Sequence, residues 1–302
     1  MKPSSTRSKS LNSNPGLLYA LFAYGAWGLF PIYWKFFKAV SPIEVLSHRM
    51  LWSVVFLGLI LTLQNRLAEL RKLRRRQVLW LVATALLLSC NWGLYIYGVN
   101  TDRVVETSLG YFINPLVSVL LGFLVLRERL HRGQQIAVVL ATIGVGYFVW
   151  QFGAVPWIAL GLAATFALYG LLRKIVTVSP MVGLTVETAL MTPVALLIIG
   201  YWGIQGTGGF GSTPGLTLLF MGAGIATSMP LLWFNNAAQR LSLATLGFCQ
   251  YVAPSFQLML GVFLYQEEFT QTHLVSFGLI WMALVIYSYT SWTRASKTLA
   301  KG

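Results

Sequence analysis

Glu44, His48 and Arg49 stand in an apolar stretch, residues 42–63, that holds no other ionisable side chain. A charge at the centre of a bilayer costs about 2.5–3.5 kcal/mol on insertion scales, so such residues face a cavity or one another. Glu44 and His48 are four residues apart and share a helical face, while Arg49 points about 140° away from Glu44. Substrate binding, or proton coupling through the histidine, is the chemistry this trio offers. The competing reading starts the helix late, leaves Glu44 at the interface and lets Arg49 snorkel. Glu187 is the one charged side chain of residues 181–201 and raises the same question.

A second group is polar and aromatic. Asn91 and Tyr95 lie on one helical face with Trp92 beside them, a wall suited to a flat or amphipathic solute. Interhelical hydrogen bonding and an aromatic belt would explain the same residues. Asn114-Pro115 and Gln250-Tyr251 with Pro254 put a proline after polar side chains. Each proline frees a backbone carbonyl one turn earlier, either for a solute or as a packing kink. Trp27, Trp92, Tyr95, Tyr111 and Tyr251 are the candidate aromatic walls. Glu106, Glu128, Glu267 and Glu268 fall at the ends of apolar runs and read as helix-end residues.

Enzyme signatures are missing. The chain has no HExxH, CxxC, GxSxG or GxxxxGK[ST], which argues against a catalytic pair and against ATP as direct energy source. Cys90 and Cys249 sit in apolar runs as small hydrophobes, and His131 and His273 flank span boundaries without nearby ligands. Neither a metal nor a cofactor is expected.

These residues must be positioned by membrane helices. Hydrophobic residues make up 56% of the 302 and charged ones only 10%, with mean hydropathy +0.68, which excludes a soluble domain or a disordered chain. Segments near 16–36, 42–63, 77–99, 104–126, 134–150, 155–173, 181–201, 214–234, 242–264 and 273–292 are each long enough to cross a ~30 Å hydrocarbon core. The first run is long and lacks a clear small-residue cleavage site, which favours a retained span over a removed signal peptide. The Gly-rich stretch 203–215 reads as an exposed flexible loop.

The net charge of +14 would suggest nucleic acid in a soluble chain; here it sets orientation instead. With the N-terminus inside, 18 of the 22 Lys and Arg fall on the cytoplasmic side, among them Arg66, Arg71, Arg74–76, Arg127, Arg173 and Arg240. Lys35, Lys38 and Arg103 fall outside, and Arg49 lies within a span. Both termini are therefore expected in the cytoplasm, as tails 1–15 and 293–302.

The chain repeats itself. LGYFINPLVSVLLGFLVLRERL (109–130) aligns with LGFCQYVAPSFQLMLGVFLYQEEF (246–269), pairing Pro115 with Pro254, Gly122 with Gly261 and Glu128 with Glu267. SPIEVLSHRML (41–51) aligns with SPMVGLTVETA (179–189), which pairs Arg49 with Glu187. Five spans per repeat is odd, so the second half enters the membrane from the opposite side. The expectation is an all-α polytopic membrane protein of ten transmembrane helices, as two inverted five-helix repeats at 16–150 and 155–292. Inverted repeats are a signature of secondary transporters, with the substrate site between the halves near the midplane.

The runs ETSLGYFINPLVSVLLGFLVLRERL (106–130), AYGAWGLFPIYWK (23–35), EVLSHRMLWS (44–53) and NWGLYIYGVN (91–100) resemble the RarD family. So does LGFCQYVAPSFQLMLGVFLYQE (246–267). This group of EamA-domain permeases lies within the drug/metabolite transporter superfamily, and the resemblance spans about residues 16–290. It implies ten helices, an inner (plasma) membrane location and a permease role. The second repeat departs in having GFCQYVAP where the first has GYFINP.

The function expected is secondary transport of a small organic metabolite or drug by alternating access, driven by an ion gradient or exchange. Its partners are a small-molecule substrate and the bilayer, not nucleic acid. An integral-membrane enzyme acting on a lipid and a non-transporting accessory protein are the alternatives. The substrate cavity is expected among Trp27, Glu44, His48, Arg49, Asn91, Trp92, Tyr95, Tyr111, Asn114, Glu187, Gln250 and Tyr251, with kinks at Pro115 and Pro254. Arg49 and Glu187 each lie about 10 Å deep from opposite faces and are expected to share one polar cavity, so that alanine at either position abolishes transport. Spans 134–150 and 273–292 have few strongly polar residues and are expected at the periphery.

Overall fold

Ser41-Pro42, Ser179-Pro180 and Thr213-Pro214 each open a long helix, with proline in the first turn, where its missing N–H costs nothing. A computed structural model describes residues 15–37, 39–100, 104–153, 155–264 and 270–299. The tail 1–14, Lys38, Arg103, Glu267 and Glu268 lie outside the described residues. The helices are α1 (Pro15–Trp34), α2 (Pro42–Leu63), a short α3 (Ala68–Arg71), α4 (Arg75–Asn100), α5 (Val104–Leu124) and α6 (Arg132–Phe152). They continue as α7 (Trp157–Ile175), α8 (Pro180–Gln205), α9 (Pro214–Arg240), α10 (Leu243–Gln250), α11 (Val252–Met259) and α12 (Gln271–Leu299). Thr213 Oγ1 accepts the Leu216 N–H at 3.2 Å and Ser242 Oγ the Thr245 N–H at 3.0 Å, capping α9 and α10. Gly153 and Gly206, at φ 75° and 65°, stop α6 and α8 in the left-handed region.

Among the described residues nine helical runs are long and apolar enough to cross a membrane, and α5 adds a shorter one, Leu109–Leu124. The chain is an all-α polytopic membrane protein. Its ninth apolar segment is not one regular α-helix. Tyr251 separates α10 from α11 while keeping right-handed helical torsions (φ −63°, ψ −14°), and a π-helical stretch follows over Leu260–Leu264. Pro254 therefore sits in the first turn of α11, whereas Pro115 lies inside a continuous α5.

Helix pairing follows a pattern. The closest pairs are α6 with α12, α5 with α7, α2 with α8 and with α9, and α1 with α9. The pairs α5 with α10, α4 with α7, α1 with α11, and α4 with α8 come next, ahead of lesser contacts such as α7 with α9. Exchanging α1 for α7, α2 for α8, α4 for α9, α5 for α10–α11 and α6 for α12 maps this set onto itself. The α6–α12 pair packs through Ala137, Ala141, Phe277 and Ile280, in an apolar cluster that extends to Phe112 of α5 and Phe248 of α10.

One end of the bundle is basic: there Gln77 Nε2 donates to the Thr177 carbonyl at 3.0 Å, Gln239 Nε2 to Val178 at 2.9 Å, and Lys174 Nζ to Leu241. At the other, distal end, Tyr33 Oη donates to the Leu219 carbonyl at 2.6 Å.

Lipid tails are as apolar as leucine, so close packing and polar ties hold the helices together. Gly224 of α9 supplies one close approach, because a Cβ there would overlap the Trp52 carbonyl of α2. Gly224→Ala is expected to destabilise the α2–α9 contact by about 1–3 kcal/mol, the usual cost of overpacking. Gly25→Ala, where nothing lies within 4 Å of the added Cβ, should leave stability unchanged or slightly raised. Thermal unfolding of the two purified variants in detergent checks this; equal melting temperatures would remove the close approach from the account.

Candidate functional site

Proline placement starts the site. Pro31 inside α1 removes the N–H that would have bonded the Trp27 carbonyl. That carbonyl accepts instead from Gln257 Nε2 of α11 at 3.2 Å, joining the two halves of the chain. Beside this tie lies a cavity of about 610 Å³, walled by residues of α1, α2, α4, α5, α7, α9, α10 and α11. Among the described residues, α6, α8 and α12 contribute nothing to its wall.

Of the residues singled out in the sequence, Trp27, Arg49, Asn91, Trp92, Tyr95, Tyr111, Asn114, Gln250 and Pro254 line this cavity. Asn91 Nδ2 donates to the Leu162 carbonyl and to Thr165 Oγ1, both at 2.9 Å, and Asn114 Nδ2 to the Ala163 carbonyl at 3.0 Å. Both asparagines thus also tie α4 and α5 to α7. Arg49 Nε donates to Thr227 Oγ1 at 2.9 Å. Its guanidinium carbon lies 4.4 Å from the Trp34 ring centroid and 5.2 Å from that of Trp92. Tyr24 Oη and the Gln250 side-chain amide are buried within hydrogen-bonding reach of each other.

Glu44, His48, Glu187, Tyr251 and Pro115 are not on that wall. Glu44 Oε1 accepts the Gly209 N–H at 2.7 Å, and the His48 ring lies 4.8 Å from Phe210 and 4.4 Å from Phe220. The 203–215 stretch therefore folds back onto α2 instead of standing free. Tyr251 packs in the apolar cluster with Phe248, and Pro115 is buried opposite Gly247.

Glu187 differs most from the sequence expectation. It does not share a cavity with Arg49; it is fully buried beside Arg173, with Nη1 to Oε1 at 3.4 Å. Thr84 donates to it at 2.6 Å and Tyr169 at 3.2 Å, and Asn235 Nδ2 donates to the Tyr169 oxygen at 3.1 Å. Arg173 had been counted among cytoplasmic turn residues, yet it is fully buried, and its guanidinium fills the space beside Gly183. Between this network and the cavity stand Trp27, Phe166, Tyr169 and Phe234, with centroids 5.2–5.9 Å apart along the cluster.

The carboxylates read as helix ends have definite work. Glu106 Oε1 accepts the Ile158 N–H at 2.8 Å, at the start of α7. Glu128 accepts Leu243 N and Ala244 N at 2.7 and 3.0 Å, capping α10 from the α5–α6 connection instead of being solvated. Sequence reasoning passed over the wall residues Tyr24, Phe166 and Gln257. Tyr24, three residues before Trp27, was legible from helical spacing; the other two carried no local signal.

Comparison with known proteins adds the following. The model of the EamA-like transporter family matches residues 14–150. Protein RarD of Escherichia coli is 42% identical, covering 90% of this chain and 93% of that one. The Bacillus subtilis protein named uncharacterized transporter YojE is 40% identical over 94% of this chain and 97% of its own. A crystal structure 15% identical in sequence superposes with a TM-score of 0.71, covering 92% of this chain and 99% of the other, which shows the fold alone.

Breaking a buried ion pair from one side strands the other charge, at a cost of about 3–5 kcal/mol. Arg173→Met should lower the melting temperature sharply, and the double variant Arg173→Met/Glu187→Gln should recover most of the loss. Thermal melts in detergent decide it; a double variant no better than the single would show that the pair is not the source of the penalty.

Proposed function

The chain belongs to the RarD group of the EamA-like transporter family, and on that premise we propose that it carries a small organic solute through the central cavity by alternating access. It is a multi-pass membrane transporter of the drug/metabolite transporter superfamily. The observation that carries the proposal is the cavity itself. At about 610 Å³ it lies within the ~300–1,000 Å³ range of small-molecule sites, and helices from both halves of the chain build its wall.

The self-mapping set of helix pairs supports two inverted repeats, 16–150 and 155–292, with the site between them. The concentration of Lys and Arg at one end supports a bacterial inner-membrane orientation with both termini cytoplasmic. In that orientation the cavity opens on the outer half. The aromatic cluster of Trp27, Phe166 and Phe234, with the Arg173–Glu187 network behind it, closes the cytoplasmic side. Transport requires that this barrier and the outer opening exchange roles. The energy comes from an ion gradient or from exchange.

Flux into proteoliposomes, measured with a panel of labelled metabolites, tests the reading. At least one solute should enter saturably. Trp92→Ala and Tyr111→Ala should each lower its flux roughly two- to tenfold, the worth of one aromatic contact of about 0.5–1.5 kcal/mol. Lipid-side Leu197→Ala, on a side chain 75% exposed, should not change it. Flux indifferent to both wall variants would place the route elsewhere.

A further inference from the structure

We infer that Arg49 is an anion receptor, and that the solute bound in the cavity is a small organic monoanion: a carboxylate joined to an apolar or aromatic body. This rests on the cavity being the solute site, as proposed above. Arg49 is the one charged side chain among the described residues of the wall. A guanidinium carries five N–H donors. Only Nε is used, on Thr227, and neither terminal amino group has a hydrogen bond to any described residue. The planar fork that remains is the geometry that grips a carboxylate through two parallel bonds.

Nothing in the described protein neutralises this cation. Glu44 is bonded to Gly209 N, Glu69 to Arg66, Glu106 to Ile158 N, Glu128 to the start of α10, and Glu187 to Arg173. Each described carboxylate is committed elsewhere, and none lies within ion-pair distance of Arg49. Arg173 is the internal contrast. The fold gives that buried arginine a counter-ion, so the absence of one at Arg49 is a property of the cavity and not of arginines in this bundle.

The remainder of the wall fixes the rest of the ligand. Trp34 and Trp92 hold the guanidinium by their ring faces, and Trp27, Phe30 and Phe166 present apolar surface. One cation suits one negative charge. It repels amines and does too little to hold a polyanion.

Three matched probes test this in phosphatidylcholine nanodiscs at neutral pH: N-acetylphenylalanine (anion), its neutral carboxamide, and phenylalaninamide (cation). Calorimetry and quenching of the wall tryptophans should show the anion binding at least ~10-fold tighter than the carboxamide, with no saturable binding of the cation. Arg49→Gln should level anion and carboxamide, and Arg49→Lys should keep the anion preference at reduced affinity. Equal affinities in the wild type, no saturable anion binding, or a preference that survives Arg49→Gln would overturn the inference. The wild-type ratio decides even if Arg49→Gln fails to fold. If phosphatidylglycerol in place of phosphatidylcholine abolishes the preference, the site belongs to a lipid headgroup and the solute assignment fails.

The two readings fail separately. Saturable flux of a neutral solute without anion selectivity removes this inference and leaves transport standing. Anion-selective binding without flux supports this inference and removes transport.

Discussion

Hydrocarbon offers no water to a stranded donor or acceptor, so each polar group inside this bundle must be answered by protein or by what the protein carries. The fold answers with side chains sent across helix boundaries. Glu106 and Glu128 meet the exposed N–H groups at the starts of α7 and α10. Asn91 and Asn114 take consecutive α7 carbonyls, and Gln257 takes the one that Pro31 releases. Each such bond is worth about 1–2 kcal/mol or less in a membrane. Their value lies in register: each fixes one helix against another at a named turn.

Arg49 is the charged group for which that rule is left open among the described residues. A central charge costs about 2.5–3.5 kcal/mol on insertion scales, and cation–π contacts return about 0.5–2 kcal/mol. Trp34, Trp92 and the Thr227 hydroxyl therefore offset much of the cost without cancelling it. A site that must bind and release works best in that condition. Full neutralisation by a glutamate would leave nothing for a ligand to gain, and a bare charge would not tolerate the membrane.

Much of this was legible in the residues. Hydropathy gives the crossings, and helical spacing gathers Asn91, Trp92 and Tyr95 on the wall with Trp27, Tyr111 and Arg49. Periodicity assigns a face, however, not what stands opposite. Glu44 and His48 do share a face, as the spacing requires. What meets them is the turned-back loop at Gly209 and Phe210, which composition alone makes look free. Glu187 was separated from its true partner because Arg173, in the last turn of α7, turns its side chain into the bundle, which its place at the end of a span does not reveal.

Under the proposed repeat, Arg49 and Glu187 are counterparts, each seven residues into a helix opened by Ser-Pro. Their surroundings are not equivalent. Glu187 meets Arg173 within a closed network, while Arg49 meets an open cavity. In the proposed cycle, opening the basic end would act on an internally neutral pair, whatever the cavity holds. Closing the distal end is different: over an empty cavity it buries a cation, and over an anion it buries a pair. The difference, about 2.5–3.5 kcal/mol at most, amounts to roughly a hundredfold in the population of the closed state. Under the proposed alternating access, an empty carrier would therefore cross back slowly and a loaded one readily, which is the behaviour of an exchanger. Uptake of a labelled anionic substrate should be at least several-fold faster into vesicles preloaded with the same anion than into empty ones. Equal rates would mean that closure does not sense the charge on Arg49.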